Sequence, residues 1–179
     1  MHIQTHILSG WCLGNLFGLG KRERSLAIVA GSIYDLDGLG IIFGPVAYWR
    51  YHHLLGHNLL VGLLICATLC WFSKERVKGF IAYLALFHIH LAADYLGSGP
   101  GWVIYYFWPF SRFGFENASG WDFYSWQNIG TGFLFIGWTV FIIFKCKRTP
   151  FESVMPNLDR QIVELGEKLK MKVQGKKVL

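Results

Sequence analysis

Apolar segments alternate with short basic clusters along this chain of 179 residues, and the alternation limits how the chain can fold. Hydrophobic residues make up 53% of the sequence and charged residues only 16%, against about 25% in an ordinary soluble domain. A helix needs about 20 apolar residues to cross a bilayer, and several of the segments are shorter than that. The pattern predicts an all-α, polytopic membrane helical bundle with about four to five membrane helices. The apolar segments comprise residues 3–18, 25–44, 54–73, 79–98 and 128–144.

Three basic clusters predict the orientation of the bundle, because each is separated from the next by two apolar segments. All three can therefore face the cytoplasm, as the positive-inside bias prefers. This arrangement predicts a multi-pass protein of the cell (inner) membrane with its N-terminus outside and its C-terminus in the cytoplasm. Residues 45–53 and 99–127, which are rich in Trp and Tyr, then form outer loops with an interfacial aromatic belt. The clusters are Lys21, Arg22 and Arg24; Lys74, Arg76 and Lys78; and Lys145, Lys147 and Arg148.

Two regions are expected, a membrane-embedded domain over residues 1–145 and a basic, amphipathic cytoplasmic tail over residues 146–179. Residues 145–179 hold nine lysines and arginines against four acids, so that they carry +5 of the net charge of +6. The tail is expected to form a helix that is either solvated or lies at the lipid interface, and nucleic-acid binding is not expected because no long basic run or recognition motif occurs. Its predicted helix has an apolar stripe of Leu158, Ile162, Val163, Leu165 and Leu169.

Ionisable residues inside the apolar segments are the second unusual feature. At about 1.5 Å per helical residue, Asp35, Asp37, His90 and Asp94 all fall in the outer half of a core about 30 Å thick. His6 and His57 reach a similar depth from two further segments. Because an unpaired ionisable residue in lipid costs at least about 2.5 kcal/mol, such residues usually face a bundle interior and serve function.

Few positively charged residues are available to neutralise these carboxylates. Outside the three basic clusters, the first 144 residues contain only Arg50 and Arg112, and both belong to the outer loops. Neutral imidazoles and carboxylates gathered without cations favour a divalent metal as the missing positive charge. The alternative is an internal hydrogen-bonded or proton-relay network.

Local spacing agrees with a shared site. His90 and Asp94 are four residues apart and share a helix face, and His53 has the same relation to His57. His52 is five residues before His57 and would converge with it only around a helix start. On a regular helix Asp35 and Asp37 would point apart, but the glycines at positions 31, 38 and 40 favour an irregular turn.

The order of these motifs resembles the bacterial membrane-bound metal-dependent hydrolases. That family is regarded as a distant, membrane-embedded relative of zinc-dependent phospholipases C and of the single-strand nucleases that share their all-helical fold. The resemblance covers residues 1 to about 145. Its motifs here are Thr5-His6, Asp35-x-Asp37, His52-x4-His57, His90-Leu-x-x-Asp94 and Trp108-Pro109-Phe110.

The resemblance implies a metal site like that of the phospholipases C, and two departures accompany it. Tyr34 stands where the family usually has Pro before Asp-x-Asp. The segment from His52 to Asn58 reads HHLLGHN where the family favours H-R-G-x-T-H-S, so the neighbouring Arg, Thr and Ser are missing. The implied metal-site residues are His6, Asp35, Asp37, His52, His57, His90 and Asp94.

These features together predict a metal-dependent membrane hydrolase. Zinc, as one or two ions, is the expected metal, because mixed imidazole and carboxylate sites with an open position suit it. Asp35 or Asp37 would be catalytic, as bridge between the ions or as base. The expected substrate is a lipid or another amphiphilic phosphoester, with Arg50, His53 and Arg112 as candidate contacts. The alternative function is a non-catalytic membrane protein that binds or transports metal ions or protons through the same His/Asp cluster.

Overall fold

The computed structural model describes residues 1–173 and 175 of the chain. Seven α-helices follow one another, and the second continues directly into a long 3₁₀ segment, Ile33–Phe43. Within the described residues no β-strand occurs, and a single bridge joins Ile104 to Phe115. The α-helices are α1 (Ile3–Leu16), α2 (Lys21–Ser32), α3 (Pro45–Tyr51), α4 (Leu59–Trp71), α5 (Arg76–Gly97), α6 (Trp126–Cys146) and α7 (Pro156–Val173).

The helical fold predicted from the apolar segments is confirmed, and three stretches are long and apolar enough to cross a membrane. These are Lys21–Phe43, Arg76–Gly97 and Trp126–Cys146. Helix α4 is apolar but has only 13 residues, and α1 has 14, so both are short for a bilayer of ordinary thickness. The chain is therefore an all-α membrane protein, and crossings by α1 and α4 stay predictions.

Close packing of α1 on α2 depends on glycine. A Cβ atom on Gly31 would lie 2.8 Å from the carbonyl oxygen of His6, and one on Gly10 would collide with the backbone of Ala27 and Ile28. Small residues at helix contacts allow this approach in lipid, where packing replaces the hydrophobic drive between helices. The contact matters for the site, because α1 carries His6 and α2 leads into the 3₁₀ segment.

Gly10→Ala is expected to destabilise the bundle by several kcal/mol, because its Cβ would meet backbone atoms of α2, including Ile28 Cα at 2.9 Å. Gly137→Ala on α6 is the matched control, since no atom lies within 4 Å of its Cβ position. The control should be neutral or stabilising by up to about 1 kcal/mol. Thermal unfolding in detergent measures both. Equal melting temperatures for the two variants would contradict this account of the helix contact.

The three basic clusters lie at one end of the bundle, as their spacing predicts. Lys78 Nζ donates to the carbonyl oxygen of Gly18 at 2.7 Å, next to the start of α2. The buried carboxylate of Glu23 accepts from the backbone amide of Lys74 at 2.8 Å. After α6, the chain returns to the same end, where Ser153 Oγ donates to the carbonyl oxygen of Lys21. The side of the membrane that this end faces stays a prediction.

An apolar core separates that basic end from the His/Asp residues. It contains side chains from α2, α4 and α5, among them Ala27, Cys66, Leu69, Tyr83 and Leu86, all less than 10% exposed. A smaller cluster of Tyr34, Phe87, Leu91 and Ile104 lies beside the His/Asp residues themselves. The bundle is thus polarised, with basic residues at one end and carboxylates and imidazoles toward the other.

Candidate metal centre

Four parts of the fold bring the predicted His and Asp residues together. Helix α1 supplies His6, the 3₁₀ segment supplies the two aspartates of the Asp-x-Asp motif, and α5 supplies His90 and Asp94. The other histidines of the predicted site lie in the turn between α3 and α4; they are His52, His53 and His57. His6, His57, His90 and Asp94 are all at most 3% exposed. Side chains distant in sequence therefore meet in one buried cluster.

Four atoms in this cluster have the spacing of ligands around a single ion. His57 Nε2 and His90 Nε2 are 3.1 Å apart, and they lie 3.3 and 3.0 Å from Asp94 Oδ2. Asp35 Oδ1 lies 3.8 Å from His57 Nε2 and 3.6 Å from His90 Nε2. Ligands at roughly 2.0–2.1 Å from a tetrahedral zinc ion lie about 3.3 Å from one another. The three separations among His57, His90 and Asp94 are close to that value, and the two from Asp35 are somewhat longer.

The outer nitrogens of the two imidazoles fix which nitrogen is available to a metal. His57 Nδ1 lies 3.0 Å from Asp37 Oδ2, and His90 Nδ1 lies 2.9 Å from the carbonyl oxygen of Gly31. Since both partners are acceptors, each Nδ1 donates, and in the neutral ring each Nε2 then turns a lone pair toward Asp94 and toward the other ring. Two lone pairs and a carboxylate facing one another in a buried site need a cation between them, either a metal ion or a proton.

Asp94 is shared between two possible ligand groups. The first contains His6, Asp35, His90 and Asp94, and the second contains His53, His57 and Asp94. Within each group, one ligand atom per residue lies within 4.8 Å of all the others. His6 Nε2 is 3.2 Å from Asp94 Oδ1, whereas His57 and His90 approach Oδ2. Asp94 is therefore the residue common to both groups, and its two oxygens face different histidines.

Two buried polar atoms in the cluster have no hydrogen-bond partner among the described residues. They are Asp35 Oδ2 and His53 Nδ1. Burial lowers the pKa of the His53 imidazole well below its usual range, so that the ring is neutral at pH 7. The sequence suggested His53 as a substrate contact, but the structure places it among the possible metal ligands. Its backbone φ of 66° turns the chain between His52 and His57, a feature that helical spacing could not reveal.

Asp37 and His52 lie outside both ligand groups, although the resemblance implies them as ligands. Asp37 Oδ1 lies 2.6 Å from His52 Nδ1, and Oδ2 accepts from the amide of Gly56 at 2.9 Å as well as from His57. Each carboxylate oxygen of Asp37 thus contacts a histidine, His52 at Oδ1 and His57 at Oδ2. This carboxylate–histidine arrangement is common one layer outside a metal ion.

Asp37→Asn is expected to weaken metal binding by roughly 10–100-fold, the usual effect of losing a residue that orients a ligand. The amide retains the shape of the carboxylate but loses its charge and one acceptor toward His57. Zinc titration of the purified, metal-stripped protein measures the change. Complete loss of binding would instead indicate that Asp37 is itself a ligand, and unchanged affinity would exclude both roles.

Of the other positively charged groups in the described part of the chain, one takes part in the cluster. Arg50 stacks over the ring of Tyr51, and neither Arg50 nor Arg112 lines the cavity beside the cluster. The group that takes part is the amino group of Met1, which lies 2.5 Å from Asp94 Oδ1 and was not anticipated from the sequence. His2 and His88 bond elsewhere, to the carbonyl oxygen of Phe123 and to Tyr106 respectively.

A cavity of about 1000 Å³ opens beside the cluster. Asp35, Asp94, His52 and His53 contribute to its wall, and Trp102, beside the two histidines, stacks on Trp49 with ring centroids 4.2 Å apart. Among the residues that the structure describes, no lysine or arginine lines this cavity. The remaining lining residues include Ile3, Tyr48, Pro100, Asp122, Phe123 and Tyr124.

Comparison with known proteins supports the membrane assignment and identifies the family. No curated protein and no solved structure matches the chain. A family model described as YdjM inner membrane protein matches residues 1–164, which include the whole His/Asp cluster and the start of α7. With three helices able to cross a bilayer, the protein is a multi-pass inner membrane protein. The chain belongs to the YdjM inner membrane protein family.

Proposed function

We propose that this protein is a metal-dependent membrane hydrolase that cleaves a phosphoester in a lipid or another amphiphile. The observation that carries the proposal is the set of four ligand atoms from His57, His90, Asp94 and Asp35, spaced as around one tetrahedral ion. Hydrolysis is the reaction that such a set supports best when a cavity gives access to it.

The donor set fits zinc. It combines imidazole nitrogens with carboxylate oxygens, and no cysteine is among its ligands. A bound divalent ion would supply a water of lowered pKa and would stabilise negative charge that develops on the ester. The orphaned atoms Asp35 Oδ2 and His53 Nδ1 give further support, since a buried polar atom without a partner is costly.

Each residue in the cluster has a proposed role. Asp94 bridges the two ligand groups, and His6, His53, His57 and His90 complete them. Asp35 gives one oxygen to the first group, and its second oxygen, which has no other partner, accepts the proton released when water attacks. Asp37 positions His57 and His52. Of the two aspartates that the sequence suggested as catalytic, we therefore assign that role to Asp35.

The cavity favours an amphiphilic substrate. Trp49, Trp102 and Phe123 offer apolar surface to a chain, while Asp35 and Asp94 lie at the polar end. Because no lysine or arginine in residues 1–173 lines the cavity, an anionic ester would depend on the bound ions for charge compensation. Arg50 and Arg112 are proposed only as contacts for headgroups outside it.

Transport through the same cluster is less well supported. A carrier or channel for ions or protons needs polar groups that continue to the other face of the membrane. Between the cluster and the basic end lies the apolar core of Ala27, Cys66, Leu69, Tyr83 and Leu86. The polar cavity thus opens on one side of that core, as an enzyme site requires.

Metal content and hydrolysis test the proposal together. We expect the protein purified in detergent to retain or rebind zinc, and the loaded protein to hydrolyse at least one member of a panel of phospholipids and isoprenoid phosphates. Protein that binds no transition metal would refute the metal centre. Loaded protein that cleaves nothing but releases zinc or protons across liposomes would establish transport instead.

The orientation of the site is part of the proposal. We expect the cluster in the outer half of the membrane and the basic end in the cytoplasm, as the positive-inside bias predicts. A cysteine introduced at Trp49, which is 61% exposed, should react with an impermeant thiol reagent added outside intact cells. Reaction only after the cells are opened would place the site on the cytoplasmic side.

A further inference from the structure

We propose that α7 is a membrane-surface helix that binds anionic lipid along a stripe formed by Leu158, Ile162, Leu165 and Leu169. These residues follow one another at intervals of four, three and four, so they share one face of the helix. Leu158, Leu165 and Leu169 are 36%, 58% and 50% exposed. The proposal concerns a surface at the opposite end from the candidate metal centre and does not depend on hydrolysis.

A different face of α7 packs against the bundle. Gly166 is buried, and its Cβ position lies 3.5 Å from the ring of Phe144 and 3.8 Å from Ile143 in the last turns of α6. This contact places α7 at the depth where α6 ends. Since α6 is one of the candidate membrane spans, its end marks the level of the bilayer surface. The helix is therefore held where lipid headgroups begin.

Polar contacts fix the rotation of α7 about its own axis. Asp159 Oδ1 accepts from the backbone amide and the hydroxyl of Thr149 at 2.6 and 2.8 Å. Glu167 Oε2 lies 2.8 Å from Lys147 Nζ. Both acids thus make their contacts on the side of α7 that faces the bundle, away from the leucine stripe. Because these contacts fix the rotation of α7, they leave the leucine stripe facing outward.

The charges on α7 complement an anionic leaflet. Lys168 and Lys172 are four residues apart and form a row beside the leucine stripe, on the side away from Gly166. Glu164, which is the other acid of the helix, lies on a different face. Leucines flanked by lysines are typical of helices that lie in the interface, where apolar burial and attraction to anionic lipid add together. An acidic protein surface would leave the leucines without an apolar partner.

Depth measurement in nanodiscs tests the proposal with the full-length protein. A nitroxide label is placed at Leu165→Cys and, as the matched control, at Glu164→Cys, the adjacent residue on a different face. Both variants carry Cys146→Ser, which removes the exposed thiol and leaves only the buried Cys12, Cys66 and Cys70. In bilayers that contain phosphatidylglycerol, we expect the ratio of oxygen to nickel-complex collisions to be several-fold higher at position 165 than at 164.

Two further variants complete the experiment. A label at Leu169→Cys should report the same depth as the label at Leu165→Cys. Agreement between the two positions excludes a local disturbance of the helix by one label as the cause of the result. Lys168→Gln with Lys172→Gln should reduce the dependence of the ratio at position 165 on phosphatidylglycerol by about an order of magnitude. Equal ratios at 164 and 165 would overturn the proposal. So would immobilised labels shielded from both reagents, which would identify a second copy of the chain as the occupant of the stripe.

Discussion

Asp94→Asn is expected to abolish zinc binding, with a loss of affinity greater than about 100-fold, the upper limit for residues that only orient ligands. The reason is that Asp94 belongs to both ligand groups and that its two oxygens approach different histidines. The asparagine side chain has the same shape but only one oxygen and no charge, so it cannot bridge. Zinc content after purification and titration of the stripped protein measure the effect.

Asp122→Asn is the matched control for this change. Asp122 lines the same cavity but is exposed and belongs to neither ligand group, so its replacement should leave zinc affinity unchanged. Hydrolysis, if present, should disappear in Asp94→Asn together with the metal. Normal zinc content in Asp94→Asn would show that zinc binds outside this cluster and would remove the basis of the proposed function.

Glu152→Ala is expected to destabilise the protein by about 3–5 kcal/mol, the usual result of removing one partner of a buried ion pair. Arg24 Nε and Nη2 donate to the two carboxylate oxygens of Glu152 at 2.6 and 2.8 Å. Both side chains are less than 10% exposed. The substitution leaves a buried guanidinium whose only other hydrogen bond goes to the carbonyl oxygen of Leu19.

Two controls separate the ion pair from nonspecific effects on the tail. Glu164→Ala removes an exposed acid of α7 and should change stability by less than about 0.5 kcal/mol. The double replacement Arg24→Met with Glu152→Leu removes both charges and should recover much of the lost stability. Thermal unfolding in detergent compares all three. A double variant no more stable than Glu152→Ala would show that the charge left behind is not the cause.

Helical periodicity was sufficient to predict much of the fold and part of the cluster. His90 and Asp94 lie on a regular helix, so a spacing of four residues places their side chains together, and Nε2 lies 3.0 Å from Oδ2. The apolar segments likewise predicted an all-α bundle, and the described residues form seven α-helices. These successes share one cause, since each depends on residues within a single regular helix or on the pattern of one helix face.

Other features depend on contacts that no local pattern records. His53 joins a possible ligand group through a turn with positive φ, which sequence spacing treated as helical. The ion pair between Arg24 and Glu152 joins residues 128 positions apart, so the sequence showed only a basic cluster and an acid in the tail. The number of crossings also depends on bilayer thickness around short helices such as α4, which composition does not determine.

The 3₁₀ segment Ile33–Phe43 explains how two aspartates separated by one residue can both reach the candidate metal centre, Asp35 in a ligand group and Asp37 as a partner of His57. At three residues per turn, positions 35 and 37 are about 120° apart, so that both can face the interior from adjacent directions. On an α-helix the separation would be about 160°, and one carboxylate would point into lipid. The tighter winding of the 3₁₀ segment therefore sets the angle between the two carboxylates. A substitution that converts this segment to α-helix would remove either the Asp35 ligand or the Asp37 contact that orients His57. The cluster would be lost in part although every His and Asp is still present in the sequence.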